Sequence, residues 1–233
     1  MSTTSAMVRL KADTTYSTAQ TERRELRTRN TSWARLLARL LARLGVRPNA
    51  VSIASVVFAA GAGVCLAVSP AAKSDPRAIL LLAAAALIQL RLLCNLLDGM
   101  LAVEHRLATR TGVLYNEIPD RIADVLVLAG AGYATASEPW GAALGWTAAA
   151  LALFTAYVRV FGGSLGMTQS FAGPMAKQHR MFVLTVAAMA SAMEAWLWLP
   201  MRAMLLGLVV VVLGSIVTAG RRIHRIAREL EAR

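Results

Sequence analysis

The chain has 233 residues, of which 57% are hydrophobic, and a mean hydropathy of +0.53. A soluble domain of this size needs a more polar surface, so the composition excludes that class and indicates a membrane protein. A net charge of +12 also occurs in nucleic-acid-binding proteins, but 10 of the 25 Lys and Arg residues precede residue 48 and 5 follow residue 220. This distribution is typical of the cytoplasmic flanks of membrane spans, so we expect membrane lipids and no nucleic acid as partners.

Two polar or amphipathic segments precede the first apolar stretch. Residues 1–30 are basic and show little apolar periodicity, which predicts a disordered N-terminal tail. Within residues 31–47, the sequence SWARLLARLLARL places Trp and Leu on one helical face and Arg on another. This pattern predicts an interfacial amphipathic helix that lies along the membrane surface.

Six apolar stretches follow. After Pro48 and Asn49, residues 50–69 are long enough to cross roughly 30 Å of hydrocarbon at about 1.5 Å per residue. The same criterion predicts spans at residues 78–103, 112–136, 140–163, 181–199 and 201–220. The predicted fold class is therefore an all-α, polytopic membrane protein with a six-helix domain over residues 48–220 and a basic C-terminal tail over residues 221–233. Six spans place both termini on one side, and the excess of Lys and Arg there predicts the cytoplasm.

Polar residues are concentrated where the second predicted span ends, NLLDGMLA, and the third begins, GVLYNEIPDRIAD. On the third span, Asn116, Asp120 and Asp124 repeat every four residues, and Glu117 lies three residues before Asp120. One helical face therefore carries them together. With Asp98 on the second span, four carboxylates lie within or beside apolar helices, where ionised groups are costly unless their charge is compensated.

Two ways of compensating the negative charge of these carboxylates are compatible with the sequence. Carboxylate and amide oxygens, with no Cys among them, suit a hard divalent cation such as Mg²⁺ or Mn²⁺. Alternatively, Asp120 or Asp124 forms buried ion pairs with Arg91, Arg121 or Arg159, the basic residues within the predicted spans.

These residues resemble the signature of the CDP-alcohol phosphatidyltransferases, D-x2-D-G-x2-A-R followed after eight or nine residues by G-x3-D-x3-D. The signature positions are occupied here by Asn95, Asp98, Gly99, Ala102, Val103, Gly112, Asn116 and Asp120. The spacing is intact, and five of the eight residues are identical. The resemblance implies transfer of a phosphatidyl group from CDP-diacylglycerol to an alcohol with release of CMP, in phospholipid biosynthesis. It also implies a homodimer, a bacterial-type inner membrane and a cytoplasmic active site.

The resemblance also assigns roles to individual residues. Asp98 and Asp120 would bind the metal, together with Asn95 and Asn116, which keep an oxygen ligand but lack the negative charge. Because two acids of the signature are replaced, we add the hypothesis that Glu117 and Asp124, on the same helix end, restore the lost charge, with Glu117 as an additional metal ligand.

The same resemblance assigns the base and the space for the nucleotide. Asp120 would be the catalytic base, with Asp124 as the competing candidate. Gly99, Ala102 and Gly112 would leave room for the nucleotide, although Gly99 and Gly112 are equally explained by close helix packing.

The acceptor and two alternative functions remain open. Arg159, with Lys177 and Arg180 before the fifth span, forms a basic group suited to an acceptor phosphate. Lys177 and Arg180 are explained equally well by the positive-inside rule. Glycerol phosphate, inositol phosphate, serine and a free polyol are all compatible acceptors. A catalytically inactive CDP-lipid-binding relative is one alternative, since three signature residues are replaced. An ion-coupled transporter is the other, although its polar residues would follow a path across the membrane.

Overall fold

A computed structural model describes residues 31–104, 111–135, 137–167, 173–200 and 202–232. The predicted tail over residues 1–30 lies outside this part of the chain. The described elements are α1 (Ser32–Arg43), α2 (Pro48–Val68) with a 3-10 turn after it (Ser69–Ala71), α3 (Ser74–Glu104), α4 (Gly112–Ala134), α5 (Gly141–Ser164), α6 (Lys177–Trp196) and α7 (Ala203–Glu231). The all-α class is confirmed for these residues.

The six long helices close into a ring. Each helix packs mainly against two others, in the order α2, α4, α5, α7, α6, α3 and back to α2. The interior between them is filled by small and branched apolar side chains, above all Ala and Leu. Since successive long helices are joined by short connections, α2, α4 and α6 begin at the end of the ring where α3, α5 and α7 finish.

Long helices occupy all six predicted spans, but they differ in apolar character. By length and composition alone, four described segments could cross a membrane: Pro48–Ala71, Ser74–Ala102, Gly141–Ser164 and Ala203–Glu231. The chain is therefore a multi-pass membrane protein. Helices α4 and α6 do not meet this criterion, because α4 carries four charged residues within its first 13 positions and α6 has three basic residues among its first four. The count of six spans thus stays a prediction.

The last helix extends well beyond the predicted end of its span. The apolar stretch ends near residue 220, but α7 continues to Glu231, through the segment that was predicted as a tail. Arg225 Nε donates to Glu229 Oε1 at 2.7 Å, an i, i+4 pair that supports the exposed part of the helix. The basic C-terminal segment is therefore helical in this structure.

The amphipathic helix α1 packs against α3. Ala34 and Ala38 are fully buried in a cluster with residues near the end of α3. On another face, Leu36, Leu40 and Leu44 are more than half exposed. An exposed apolar face beside basic residues is what a helix at a membrane surface needs. The interfacial position itself stays a prediction.

Helix α4 approaches its neighbours at the level of the backbone. A Cβ atom added to Gly130 would lie 2.5 Å from the carbonyl oxygen of Gly63 in α2. A Cβ atom added to Gly132 would lie 2.8 Å from the Cα atom of Gly145 in α5. Glycine at these positions lets three helices pack with their backbones in contact, as small residues do in membrane bundles.

We expect the substitution Gly130→Ala to lower the thermal unfolding midpoint of the protein in detergent. Overpacking costs about 1–3 kcal/mol, which exceeds the gain in helix propensity of up to about 1 kcal/mol. Gly220→Ala is the matched control, because a Cβ atom there meets nothing within 4 Å. Equal midpoints for the two variants would show that the helices can separate without cost.

Candidate active site

The polar residues predicted from the sequence come together at one end of the ring. Helix α3 finishes there at Glu104, and α4 and α6 begin there at Gly112 and Lys177. Three carboxylates at this end are almost completely buried, namely Asp98, Asp120 and Asp124, with exposures of 5%, 6% and 0%. Buried carboxylates need hydrogen bonds or opposite charges, so the partners of each one indicate its role.

Asp98 near the end of α3 is anchored by a serine. Ser52 Oγ in α2 donates a hydrogen bond of 2.6 Å to Asp98 Oδ2. The carboxylate also interacts electrostatically with Asp120 of α4 and with Lys177 of α6. We call Asp98 and Asp120 the signature carboxylates. They come from different helices.

Asp120 has one oxygen in an ion pair and one that accepts no hydrogen bond. Lys177 Nζ forms an ion pair with Asp120 Oδ2. Arg121 Nη2 is 3.9 Å from the same oxygen, and Arg91 Nη2 is 3.9 Å from Oδ1, too far for a hydrogen bond. Asp120 Oδ1 is buried and has no hydrogen-bond partner. This oxygen is therefore open to a proton or a cation.

Asp124 holds two arginines at once. Arg91 Nη2 donates to Asp124 Oδ1 at 2.6 Å, and Arg180 Nη2 donates to Asp124 Oδ2 at 2.8 Å. Arg91 is fully buried, and Arg180 is 2% exposed. These three residues, the Asp124 triad, join α3, α4 and α6. The ion pairing that the sequence left open is therefore observed for Asp124, and both of its oxygens are engaged.

Glu117 is directed towards α5. Arg159 Nη2 donates to both of its carboxylate oxygens, at 2.7 and 2.8 Å, and Arg121 Nη2 is 3.5 Å from Oε2. The Glu117 side chain is 35% exposed. The structure thus places Glu117 in the Glu117–Arg159 pair and does not bring it into contact with the signature carboxylates. Its role as an additional metal ligand stays a prediction.

The three predicted acceptor-binding residues lie at the same end of the ring. Each contacts a different acid of α4, since Arg159 pairs with Glu117, Lys177 with Asp120 and Arg180 with Asp124. The three basic residues therefore line the acidic face of α4, from near its first residue towards its middle. The predicted nucleotide-binding residues, all partly exposed, are Gly99, Ala102 and Gly112.

Two residues of the site were missed by the sequence analysis. Ser52 gave no signal, because one serine in an apolar span is common and its contact with Asp98 joins residues 46 positions apart. Arg222 of α7 was assigned to the basic tail. The structure places it beside Arg159 in a cleft between α5 and α7, where Arg222 Nη1 donates to the backbone oxygen of Thr155 at 2.6 Å.

The donor set at the signature positions fits one divalent cation. Among the described residues, no three His, Cys, Asp or Glu side chains come together as a metal cluster. A metal here would therefore also need the amide oxygens of Asn95 and Asn116, each one helical turn before a signature carboxylate. Two carboxylates balance the charge of one divalent cation, and hard oxygen donors suit Mg²⁺ or Mn²⁺. The unpartnered oxygen of Asp120 supports this fit.

The fold is shared with a solved synthase. The crystal structure of Mycobacterium tuberculosis phosphatidylinositol phosphate synthase with CDP-DAG bound matches with a TM-score of 0.70 and 21% identity, over 83% of this chain and 92% of that chain. The chain has the fold of this synthase. The structure of the synthase with manganese and citrate matches with a TM-score of 0.68 and 22% identity, over 83% of this chain and 88% of that one. No protein-family model and no curated protein matches the sequence.

Proposed function

We propose that this chain is a CDP-alcohol phosphatidyltransferase, which transfers a phosphatidyl group from CDP-diacylglycerol to the hydroxyl group of a small alcohol and releases CMP. One observation carries the proposal. The signature carboxylates from α3 and α4 are buried at one end of the ring, and a cation from α6 pairs with one of them, in a fold shared with a synthase that was solved with CDP-DAG bound. The polar residues gather at one end of the ring, which argues against a transport path.

The reaction joins the acceptor oxygen to the lipid-linked phosphorus and breaks the bond from that phosphorus to CMP. The acceptor proton must leave as the new bond forms. Asp120 is the base in our proposal, because its buried Oδ1 has no hydrogen-bond partner. Asp124 is a poorer candidate, because arginines hold both of its oxygens.

The same end of the ring supplies positive charge for the diphosphate. Asn95, Asp98, Asn116 and Asp120 would hold one Mg²⁺ or Mn²⁺ ion, which when bound neutralises phosphate charge. The synthase with the same fold was solved with manganese. Ser52 orients Asp98 by donating to one of its oxygens. Gly99 and Ala102 near the end of α3, with Gly112 at the start of α4, would leave space for the nucleotide.

The acceptor would bind on the side of α5 and α6. Arg159, Lys177 and Arg180 offer guanidinium and ammonium groups there, which suit a phosphorylated alcohol. In the proposed topology all six long helices cross a bacterial inner membrane, both termini and the site are cytoplasmic, and α1 lies on the membrane surface. A homodimer is part of the same proposal.

The experiment measures CMP release from CDP-diacylglycerol by the purified protein in detergent. Mg²⁺ or Mn²⁺ is supplied with a panel of acceptors: glycerol phosphate, inositol phosphate, serine and free polyols. Release with one acceptor, abolished in Asp98→Asn, would establish the activity and identify the acceptor. No release with any acceptor, while CDP-diacylglycerol still binds, would contradict the activity and favour an inactive relative, which the replacements at Asn95 and Asn116 would then explain.

We expect Ser52→Ala to lower the rate of CMP release about tenfold, because a hydrogen bond to a charged group is worth about 1.5–3 kcal/mol. Without it, Asp98 is no longer held in one orientation. Ser55→Ala is the matched control, since Ser55 is also buried in α2 but donates to the backbone oxygen of Ser52. Equal losses in the two variants would show that Ser52 contributes only to packing.

A further inference from the structure

The cations at the site are distributed in a way that singles out Lys177. In the described part of the chain, the two arginines of the Asp124 triad are bonded to Asp124 at 2.6 and 2.8 Å. Arg159 is bonded to Glu117 at 2.7 Å. Lys177 Nζ forms an ion pair with Asp120 Oδ2, whereas Arg91 and Arg121 lie 3.9 Å from the carboxylate oxygens of Asp120. Among these cations of the described residues, Lys177 is therefore the one in direct contact with a signature carboxylate.

Charge at the signature positions explains how a lysine can lie there. Asn95 and Asn116 stand where the resemblance places acids, so the signature positions carry two negative charges. A divalent cation alone balances two charges. A divalent cation together with Lys177 would leave an excess of positive charge in a buried site, which is unfavourable. The two cations are therefore alternatives.

Lys177 is also able to leave. It is the first residue of α6, and its side chain is 23% exposed. A lysine carries a compact charge on a flexible four-carbon chain, so the ammonium group can move several ångströms without moving the backbone. Rotation away from Asp120 would place it towards solvent at the same end of the ring.

We propose that the ammonium group of Lys177 and a divalent cation compete for Asp120, so that Lys177 sets the metal affinity of this site. In the metal-free site Lys177 compensates one of the two negative charges of the signature carboxylates, and a metal ion binds when Lys177 leaves Asp120. The released ammonium group is then free to contact an anionic substrate. This inference rests on the proposed function, because it takes the site to bind a divalent cation.

The test is a titration of the purified protein with Mn²⁺ in detergent and without any substrate. Electron paramagnetic resonance of free Mn²⁺ gives the affinity and the number of bound ions. We expect Lys177→Gln to bind Mn²⁺ at least about tenfold more tightly than the wild type, because a like charge close to the ion is removed. Lys177→Arg is the matched control and keeps the charge, so its affinity should stay within about twofold of the wild type. Asp120→Asn should weaken Mn²⁺ binding both in the wild type and in Lys177→Gln.

Three results would overturn the inference: equal Mn²⁺ affinity in the wild type and Lys177→Gln, tighter binding in Lys177→Arg as well, or no Mn²⁺ binding in either the wild type or Lys177→Gln. If Lys177→Gln does not fold, Asn116→Asp carries the test. An added carboxylate should tighten Mn²⁺ binding by balancing Lys177, and unchanged affinity would contradict the competition.

The two proposals fail separately. If the wild type releases CMP but Lys177→Gln binds Mn²⁺ with unchanged affinity, the competition is contradicted and the proposed transferase activity stands. If Lys177→Gln binds Mn²⁺ more tightly but no CMP is released with any acceptor, the transferase activity is contradicted and the competition stands.

Discussion

Replacing Asp120 by Asn is expected to lower the rate of CMP release by about 10²–10⁴-fold, the usual contribution of a general base. The substitution keeps the size of the side chain but removes the oxygen that can take the acceptor proton. The rate would be measured with CDP-diacylglycerol and the acceptor found in the panel. The thermal midpoint would be measured in parallel, because Asp120 also pairs with Lys177.

Asp75→Asn is the matched control for this loss. Asp75 is an exposed carboxylate in the first turn of α3, at the opposite end of the ring from the site. Its replacement should leave CMP release unchanged. If Asp120→Asn kept wild-type activity while folded, the base would have to be another group.

Replacing Asp124 by Asn is expected to destabilise the protein by about 3–5 kcal/mol, the usual result of removing one partner from a buried ion pair. Arg91 and Arg180 would keep their charges, at 0% and 2% exposure, without the carboxylate between them. The measurement is thermal or denaturant unfolding in detergent. Glu117→Gln is the control, because the partly exposed Glu117–Arg159 pair should be worth about 1 kcal/mol or less.

A third variant separates charge from packing in the Asp124 triad. Replacing the whole triad by apolar residues, as Arg91→Met with Asp124→Leu and Arg180→Met, should recover most of the lost stability, since buried ion clusters are often no more stable than apolar ones. A triple variant as unstable as Asp124→Asn would show that these residues do more than compensate one another. Equal stability of Asp124→Asn and Glu117→Gln would contradict the triad as a structural element.

Much of the fold was predictable because apolar length is a local property of the sequence. Each long helix overlaps most of one predicted apolar stretch, and the convergence of α3 and α4 follows from the short connection between them. The end of α7 was not predictable from hydropathy, because a helix needs only backbone hydrogen bonds and favourable residues to continue beyond the apolar stretch. Arg225 and Glu229 supply such a continuation.

The sequence predicts which residues form the site better than it predicts which of them contact one another. The spacing of acids on α4 indicated that they share a face and need compensation. Which basic side chain pairs with which acid depends on how α5 and α6 pack, and Arg180 lies 56 positions from Asp124. No local pattern contains that information. The same acids explain why α4 lacks the apolar character of a typical span, although it belongs to the ring.

The division of the Asp124 triad along the chain has a consequence for biogenesis. When Asp124 is added to the growing chain, Arg91 is already present, but Arg180 is still 56 residues from being made. A nascent chain that ends after α5 therefore carries a half-paired carboxylate in a polar helix. Stable insertion of α4 should wait for α6, so that the two helices enter the lipid as one unit. Premature termination between them would yield a substrate for membrane quality-control proteases.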